Sequence, residues 1–220
     1  MVHVSADPLL HSATAGNRKL SIRSMKSIVS PTLATRIWIL TGDPAIGKST
    51  ALSRILLELR KKGYVPGGVI AREIRSHGER EGFQLVDISS DETEILAAVK
   101  GITGPRIGKY KVNLRALSTL GVEAVEKAVT KSDVIAIDEI GPMELLSPEF
   151  RRAIRFGTLE TRETPAVCVM HKRFQDPLID ELRNSPEVTE EEVTFENRNE
   201  LPVDVAKNII RYLERKTART

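Results

Sequence analysis

The order of apolar and polar positions from Arg36 onward predicts strands that alternate with helices. Short apolar runs at 37–40, 134–137 and 165–170 are typical of strands buried on both faces, which need no polar alternation. Apolar residues three and four positions apart predict helices, as Leu52, Ile55 and Leu56 illustrate. The predicted helices cover about 48–62, 114–130, 148–157, 176–184 and 202–216.

The remaining segments complete an α/β fold. Strands at 67–75 and 82–88 flank a polar turn at 76–79, which predicts a β-hairpin inserted into the sheet. Residues 93–113 predict one or two short strands, and 191–195 predicts a last strand. This order predicts a three-layer sandwich, with helices covering both faces of a mainly parallel sheet.

A phosphate-binding motif lies between the first strand and the first helix. Gly42, Asp43, Pro44, Ala45, Ile46, Gly47, Lys48 and Ser49 match G-x-x-x-x-G-K-[ST]. Glycines let backbone N–H groups converge on phosphate oxygens, and the following helix points its positive end at them. We therefore predict that residues 42–49 and Thr50 bind the phosphates. An ordinary strand-to-helix turn is the alternative, which the flanking apolar strand and amphipathic helix disfavour.

Within this motif, Lys48 is predicted to neutralise the β- and γ-phosphates during catalysis, and Ser49 to offer its hydroxyl to Mg²⁺. A second motif is the apolar strand 134–137, which ends in Asp138 and Glu139. Asp138 is predicted to hold Mg²⁺, and Glu139 to orient the water that attacks the γ-phosphate. A solvated acidic strand end is the alternative for this pair.

With both motifs in place, the chain resembles the stand-alone P-loop enzymes known as thermophilic or cancer-related nucleoside-triphosphatases. The resemblance spans residues 36–216 and rests also on 137–145 (IDEIGPMEL), 106–112 (RIGKYKV), 73–75 with 82–83, and 196–199 (ENRN). It implies a RecA-like fold, dependence on a divalent metal, and slow hydrolysis of several nucleoside triphosphates with little base preference. The chain departs from the family pattern at Ala45, which is usually glycine, and at Pro142, which is usually lysine. The second departure puts any role of that lysine in doubt here.

Further catalytic candidates are cationic. Arg75 and Arg198 stand out among the arginines that are candidates for transition-state stabilisation, because they lie in family-like segments; Arg72, Arg106 and Arg173 are the others. His171 follows the strand at 165–170 and is a candidate γ-phosphate sensor. Base stacking is an option for three aromatic residues, Phe83, Tyr110 and Trp38, although Trp38 fits core packing better.

Composition limits the partners and the cellular location that the sequence predicts. The net charge of +3 resides in residues 1–34, where Arg18, Lys19, Arg23 and Lys26 face Asp7, so the remainder is neutral and indicates no specific nucleic-acid partner. The favoured prediction for 1–34 is a disordered basic extension ahead of a domain at 35–220; a transit peptide or a true start at Met25 are alternatives. One cysteine and no long apolar run predict a cytoplasmic protein with no membrane partner.

The leading functional hypothesis is Mg²⁺-dependent hydrolysis of ATP, GTP and other nucleoside triphosphates. A nucleoside or nucleotide kinase stays open, because the basic stretch 105–115 suits an acceptor site. A nucleotide-dependent switch or adaptor is the third hypothesis. The acidic pair Asp138-Glu139 favours water as the acceptor.

Overall fold

A single mixed sheet organises the part of the chain that the structure, a computed structural model, describes: residues 35–218. In chain order its strands are β1 (Ile37–Thr41), β2 (Pro66–Ser76), β3 (Glu79–Asp87), β4 (Thr93–Ala98), β5 (Arg106–Ile107), β6 (Tyr110–Val112), β7 (Val134–Ile140), β8 (Ala166–Met170) and β9 (Val188–Glu192). Their order across the sheet is β5-β6-β4-β3-β2-β7-β8-β1-β9. The five strands from β2 to β9 in this order run parallel, and β3, β4, β6 and β5 extend them as antiparallel neighbours.

Helices cover both faces of this sheet. They are α1 (Lys48–Lys61), α2 (Leu114–Ala116), α3 (Val122–Lys131), α4 (Pro148–Arg155), α5 (Pro177–Asn184) and α6 (Leu201–Thr217). A π-helical turn, Leu117–Gly121, joins α2 to α3, and a second one, Phe156–Glu160, extends α4. The polar side chains of Asn113, Ser147 and Asp176 cap α2, α4 and α5 by accepting hydrogen bonds from backbone N–H groups.

Two hydrophobic cores separate the three layers. In β1, Ile37 and Ile39 face the core beneath α3, α4 and α5, whereas Trp38 and Leu40 face the core beneath α1 and α6. Successive side chains of a strand point to opposite faces, so each central strand contributes to both cores. The predicted three-layer α/β sandwich with an inserted hairpin is confirmed.

Two predictions about strands were wrong. Residues 93–113 form three strands, not one or two, because β5 and β6 are too short to show a periodic pattern. The last strand is β9 at Val188–Glu192, three residues before the predicted 191–195. It is an edge strand beside β1, so its glutamates can face solvent, and the apolar Val193 and Phe195 that suggested a strand lie in the following loop.

One buried cation ties the amino ends of these strands together. The side chain of Arg36 is 1% exposed and donates hydrogen bonds to the carbonyls of Thr164 (3.0 Å) and Thr158 (2.6 Å). It also pairs with Glu187 at 2.9 Å, just before β9. Arg36 therefore satisfies buried carbonyl groups at the edge of the sheet opposite the phosphate-binding loop.

The predicted extension at residues 1–34 lies outside the described residues. Between Thr35 and Ala218, no helix combines the length and the apolar character that crossing a membrane requires.

Candidate nucleotide-binding site

The carboxyl ends of the parallel strands meet at one edge of the sheet, where α/β proteins bind ligands. A cleft of about 890 Å³ opens there. It is lined by the loop after β1, by Asp138 and Glu139 at the end of β7, and by His171 after β8. Residues from three separate segments were predicted to act on the same phosphate, and all three segments line this cleft.

The loop from Gly42 to Gly47 wraps closely around the amino end of α1. Gly42 and Gly47 have φ angles of 146° and 112°, which glycine adopts without strain. The Nζ of Lys48 donates to the carbonyls of Gly42 (3.1 Å) and Asp43 (3.2 Å), across the mouth of the loop. No described side chain caps α1, and its first turn holds no acid. Its free N–H groups and positive end therefore suit a bound anion.

Ala45 is the strained position of this loop. Its φ of 61° lies in the left-handed region, which is costly for a residue with a Cβ. We expect Ala45→Gly to stabilise the protein by about 0.5 kcal/mol, because relief of this strain exceeds the added freedom of the unfolded chain. Thermal unfolding measures this change.

Gly63→Ala is the matched control. Gly63 has φ 86° and nothing within 4 Å of an added Cβ, so this substitution adds strain without a clash and should destabilise the protein. A lower unfolding temperature for Ala45→Gly would contradict the strain argument.

Two acidic side chains lie beside Lys48, and a third lies beside those two. The pairing of β7 with β8 shifts register between Ile137 and Ile140, which places Asp138 and Glu139 in an irregular strand end. Burial raises the pKa of Asp138 to about 7, against the hydrogen bond from Ser49 and with a further rise from the charge of Glu139. Burial also raises the pKa of Glu139, while Lys48 opposes that rise. Asp138 and Glu139 therefore lie close to each other and to the ammonium group of Lys48.

Glu144 is the third carboxylate, and the sequence analysis gave it no role. The chain turns back after β7 at Gly141, where an added Cβ would stand 2.9 Å from Glu139 Oε1 and 3.2 Å from Glu144 Oε2. Burial, with the charges of Glu139 and Asp138, raises the pKa of Glu144 to about 8. Its place within the family-like stretch 137–145 was the available signal, but sequence alone does not reveal that the turn folds back.

The raised pKa of Glu144 predicts a pH-dependent cost in stability. The unfolded chain ionises Glu144 near pH 4.5, whereas the folded chain holds the proton up to about pH 8, so stability falls across this window as pH rises. Without nucleotide and in EDTA, we expect Glu144→Gln to stabilise the protein by about 2 kcal/mol at pH 8 and little at pH 4.5, since the amide must also be desolvated. Urea unfolding at both pH values tests this, and an equal effect at both would contradict it.

The loop after β8 brings cations to the phosphate-binding loop. Arg173 Nη2 and Lys172 Nζ each lie 3.5 Å from Asp43 Oδ1, and both residues line the cleft. The side chain of Arg173 is 80% exposed, so it can move. The Nδ1 of His171 accepts hydrogen bonds from the backbone N–H groups of Arg173 (3.3 Å) and Phe174 (3.1 Å), which assigns its proton to Nε2.

The two arginines that ranked highest in the sequence do not line this cleft. Arg75 lies near the hairpin tip, where it pairs with Glu73 at 2.6 Å and donates to the carbonyl of Gly78. The guanidinium of Arg198 lies over the ring of Phe195, in the loop after β9. Of the five candidate arginines, only Arg173 lines the cleft among the described residues. Arg72 lies where β2 pairs antiparallel with β3, and Arg106 lies on β5.

Arg80 is a cation of the cleft that the sequence analysis missed. It donates to Tyr110 Oη (3.0 Å) and Glu73 Oε1 (2.8 Å), and its guanidinium lies 5.2 Å from the ring centre of Phe83. These four residues form the end of the cleft on the antiparallel side of β7. Only the pairing of β2, β3, β4 and β6 brings them together.

Trp38, the remaining aromatic candidate for base stacking, is buried in the core.

The fold and this edge of the sheet define a P-loop protein of the RecA-like α/β class, and comparison with known proteins gives the family. The NTPase family model matches residues 37–206. The chain is 38% identical to nucleoside-triphosphatase THEP1 of Methanopyrus kandleri and 41% identical to that of Methanosarcina acetivorans, covering 80% and 79% of this chain and 96% of each relative. The chain belongs to this nucleoside-triphosphatase family.

Solved structures agree with this assignment. The crystal structure of THEP1 from the hyperthermophile Aquifex aeolicus superposes with a TM-score of 0.68 at 29% identity, covering 77% of this chain and 96% of the other. The solution structure of a human cancer-related nucleoside triphosphatase gives 0.66 at 31% identity, with coverage of 79% and 96%. The predicted family, fold and class of enzyme, a nucleoside-triphosphatase, are confirmed.

Proposed function

We propose that this chain hydrolyses ATP, GTP and other nucleoside triphosphates to diphosphates and phosphate, slowly and with Mg²⁺. The observation that carries the proposal is the convergence of Lys48, Ser49, Asp138 and Glu139 in one cleft. Together they meet three requirements of phosphoryl transfer: Lys48 neutralises the phosphates, Ser49 and Asp138 hold the metal, and Glu139 acts on the water.

The chain's own groups hold the triphosphate. The backbone N–H groups of residues 42–50, other than Pro44, which has none, and the positive end of α1 bind its oxygens. Lys48 turns from the carbonyls of Gly42 and Asp43 to the β- and γ-phosphates. The uncapped end of α1 supports this assignment, because those N–H groups otherwise rely on solvent.

The donor set beside the loop fits Mg²⁺. The hydroxyl of Ser49 lies close enough to the carboxyl group of Asp138 to lower its pKa, and the two side chains offer the hard oxygen donors that Mg²⁺ prefers. The carboxyl groups of Asp138 and Glu144 are buried near that of Glu139, and a bound cation would compensate the negative charge of this group. The ion would supply positive charge to the β- and γ-phosphate oxygens.

Glu139 is the group placed to act on water. Its partly buried carboxylate accepts a proton from the attacking water, whose oxygen forms a bond to the γ-phosphorus while the bond to the β-phosphate oxygen breaks. His171 lines the same cleft and is placed to donate a hydrogen bond from Nε2 toward the γ-phosphate. Among the candidate arginines, we assign stabilisation of the transition state to Arg173, in place of Arg75 and Arg198.

Slow turnover follows from this arrangement. The exposed side chain of Arg173 pairs with Asp43 and must be reordered before it stabilises the transition state. P-loop hydrolases without a fully engaged arginine turn over at about 10⁻² s⁻¹ or below.

A cytoplasmic location stays a prediction, supported by the single, fully buried Cys168, whose pKa burial raises to about 12.

Phosphate release tests the proposal. The full chain is incubated with ATP, GTP, CTP or UTP in Mg²⁺ or in EDTA, beside Lys48→Ala and the exposed control Lys100→Ala. We expect release from all four nucleotides in Mg²⁺, none in EDTA, and a loss of roughly 100-fold or more in Lys48→Ala alone. Undiminished release in EDTA would refute the metal requirement. Unchanged release by Lys48→Ala would refute the site, and transfer to added nucleosides in place of water would favour the kinase alternative.

A further inference from the structure

Phe195 is an exposed aromatic residue that the hydrophobic cores do not use. At 68% it is the most exposed large apolar side chain between residues 35 and 218. The guanidinium of Arg198 lies over its ring, 4.9 Å from the ring centre. The ring supplies a π-face and the guanidinium supplies a flat positive charge, and nucleobases stack on both kinds of group.

The loop that carries this surface is held in one conformation. Asn197 Oδ1 accepts a hydrogen bond from the backbone N–H of Thr194 (2.8 Å), and its Nδ2 donates to the carbonyl of Glu192 (2.8 Å). Arg54 of α1 donates to Asn199 Oδ1 (3.0 Å). An exposed aromatic residue on a fixed loop is ready to bind without a large ordering cost.

This loop adjoins the phosphate-binding loop. The backbone N–H of Val193 donates to the carbonyl of Thr41 (2.8 Å), and a Cβ at Gly42 would stand 2.7 Å from the carbonyl oxygen of Val193. The two loops therefore touch at the residue where the phosphate cradle begins, and a side chain at Gly42 would force them apart.

The strand order decides which way a bound nucleotide extends. β7, which carries Asp138 and Glu139, lies on one side of β1, and β9 lies on the other. The γ-phosphate must lie at the β7 side to meet Glu139. The triphosphate then crosses the end of α1, and its α-phosphate and nucleoside lie toward β9, where the loop after that strand presents Phe195.

We propose that Phe195 and Arg198 form the platform on which the base of the bound nucleotide stacks. This inference rests on the proposed function, which sets the direction of the triphosphate. It explains tolerance of all four bases, since every base has a π-face and stacking reads no hydrogen-bonding pattern. It also gives Arg198 a binding role in place of the catalytic one that the sequence suggested.

Inorganic tripolyphosphate, which has no base, separates stacking from phosphate binding. Dissociation constants in Mg²⁺ are measured for tripolyphosphate and for non-hydrolysable analogues of ATP and CTP, together with phosphate release. The variants are Phe195→Ala, Phe195→Tyr and Phe83→Ala. The control is Phe156→Ala, which removes another exposed ring, in the π-helical turn that extends α4. We expect Phe195→Ala to weaken both analogues by roughly 5- to 100-fold, leave tripolyphosphate unchanged, and be rescued by Phe195→Tyr.

Other outcomes overturn the inference. Equal weakening of tripolyphosphate would mean that Phe195 only supports the loop, and unchanged analogue binding would remove it from the site. Analogue-specific weakening in Phe83→Ala alone would place the base at the hairpin end of the cleft. If the wild type binds analogues through Phe195 yet releases no phosphate, the proposed hydrolysis fails and the base platform stands.

Discussion

Glu139→Gln is expected to lower hydrolysis of every nucleoside triphosphate by about 10²–10⁴-fold, the contribution of a positioned general base. The amide keeps the size of the side chain but cannot accept the proton of the attacking water. It also removes a partly buried negative charge from the cleft that receives the triphosphate, so nucleotide binding should persist or tighten. The expected result is therefore a loss in kcat without a loss of affinity.

Single-turnover phosphate release and analogue binding measure the two parts separately. Glu123→Gln is a matched control, because Glu123 is exposed on α3, away from the cleft. If Glu139→Gln retained near-wild-type turnover, the water would be activated by another group, and Glu144 would be the first to examine. If binding and turnover fell together, Glu139 would hold the nucleotide or the metal instead of acting on water.

Arg36→Ala is expected to destabilise the protein by about 2–5 kcal/mol, because two buried carbonyl groups lose their donor at roughly 1–3 kcal/mol each, whereas the partner carboxylate of Glu187 is 36% exposed and can be solvated. The substitution leaves the carbonyls of Thr158 and Thr164 without their donor and opens space beside β1. Because Arg36 lies at the opposite end of the strands from the phosphate-binding loop, the protein that remains folded should keep its nucleotide affinity.

Chemical unfolding of Arg36→Ala is compared with that of Arg152→Ala, which removes an exposed pair with Glu149 at 3.7 Å. Exposed pairs contribute about 0–1 kcal/mol, so the control should differ little from the wild type. If Arg36→Ala fails to fold, Arg36→Lys provides the measurement, since it keeps a cation but loses the fork that reaches two carbonyls. Stability equal to that of the control would contradict the structural role.

The phosphate cradle was predictable because it is local. Its eight residues are consecutive, their spacing is dictated by the shape of phosphate, and the flanking strand and helix show clear patterns. The acidic end of β7 was predictable for the same reason, as an apolar run that ends in two carboxylates. Helix positions were also predicted well, since the buried stripes of α1 and α6 are strong.

Groups that act through distant neighbours were not predictable. Glu144 approaches Glu139 only because the turn at Gly141 reverses the chain, and Arg80 meets Tyr110 only through strand pairing. Arg75 and Arg198 ranked high because of their sequence neighbourhoods, yet the sheet places both outside the cleft. No local pattern reports how far a side chain lies from a residue many positions away.

The sequence by itself determined the P-loop motif and the alternation of strands and helices, because both depend on short-range spacing. The tertiary structure alone decided the order β7-β8-β1-β9, and with it which side of the cradle faces Glu139 and which faces Phe195. It also decided which arginines reach the cleft and which carboxylates share a buried space. Those outcomes depend on the pairing of strands far apart in the chain, where the free energy of burial, not local pattern, selects the neighbours.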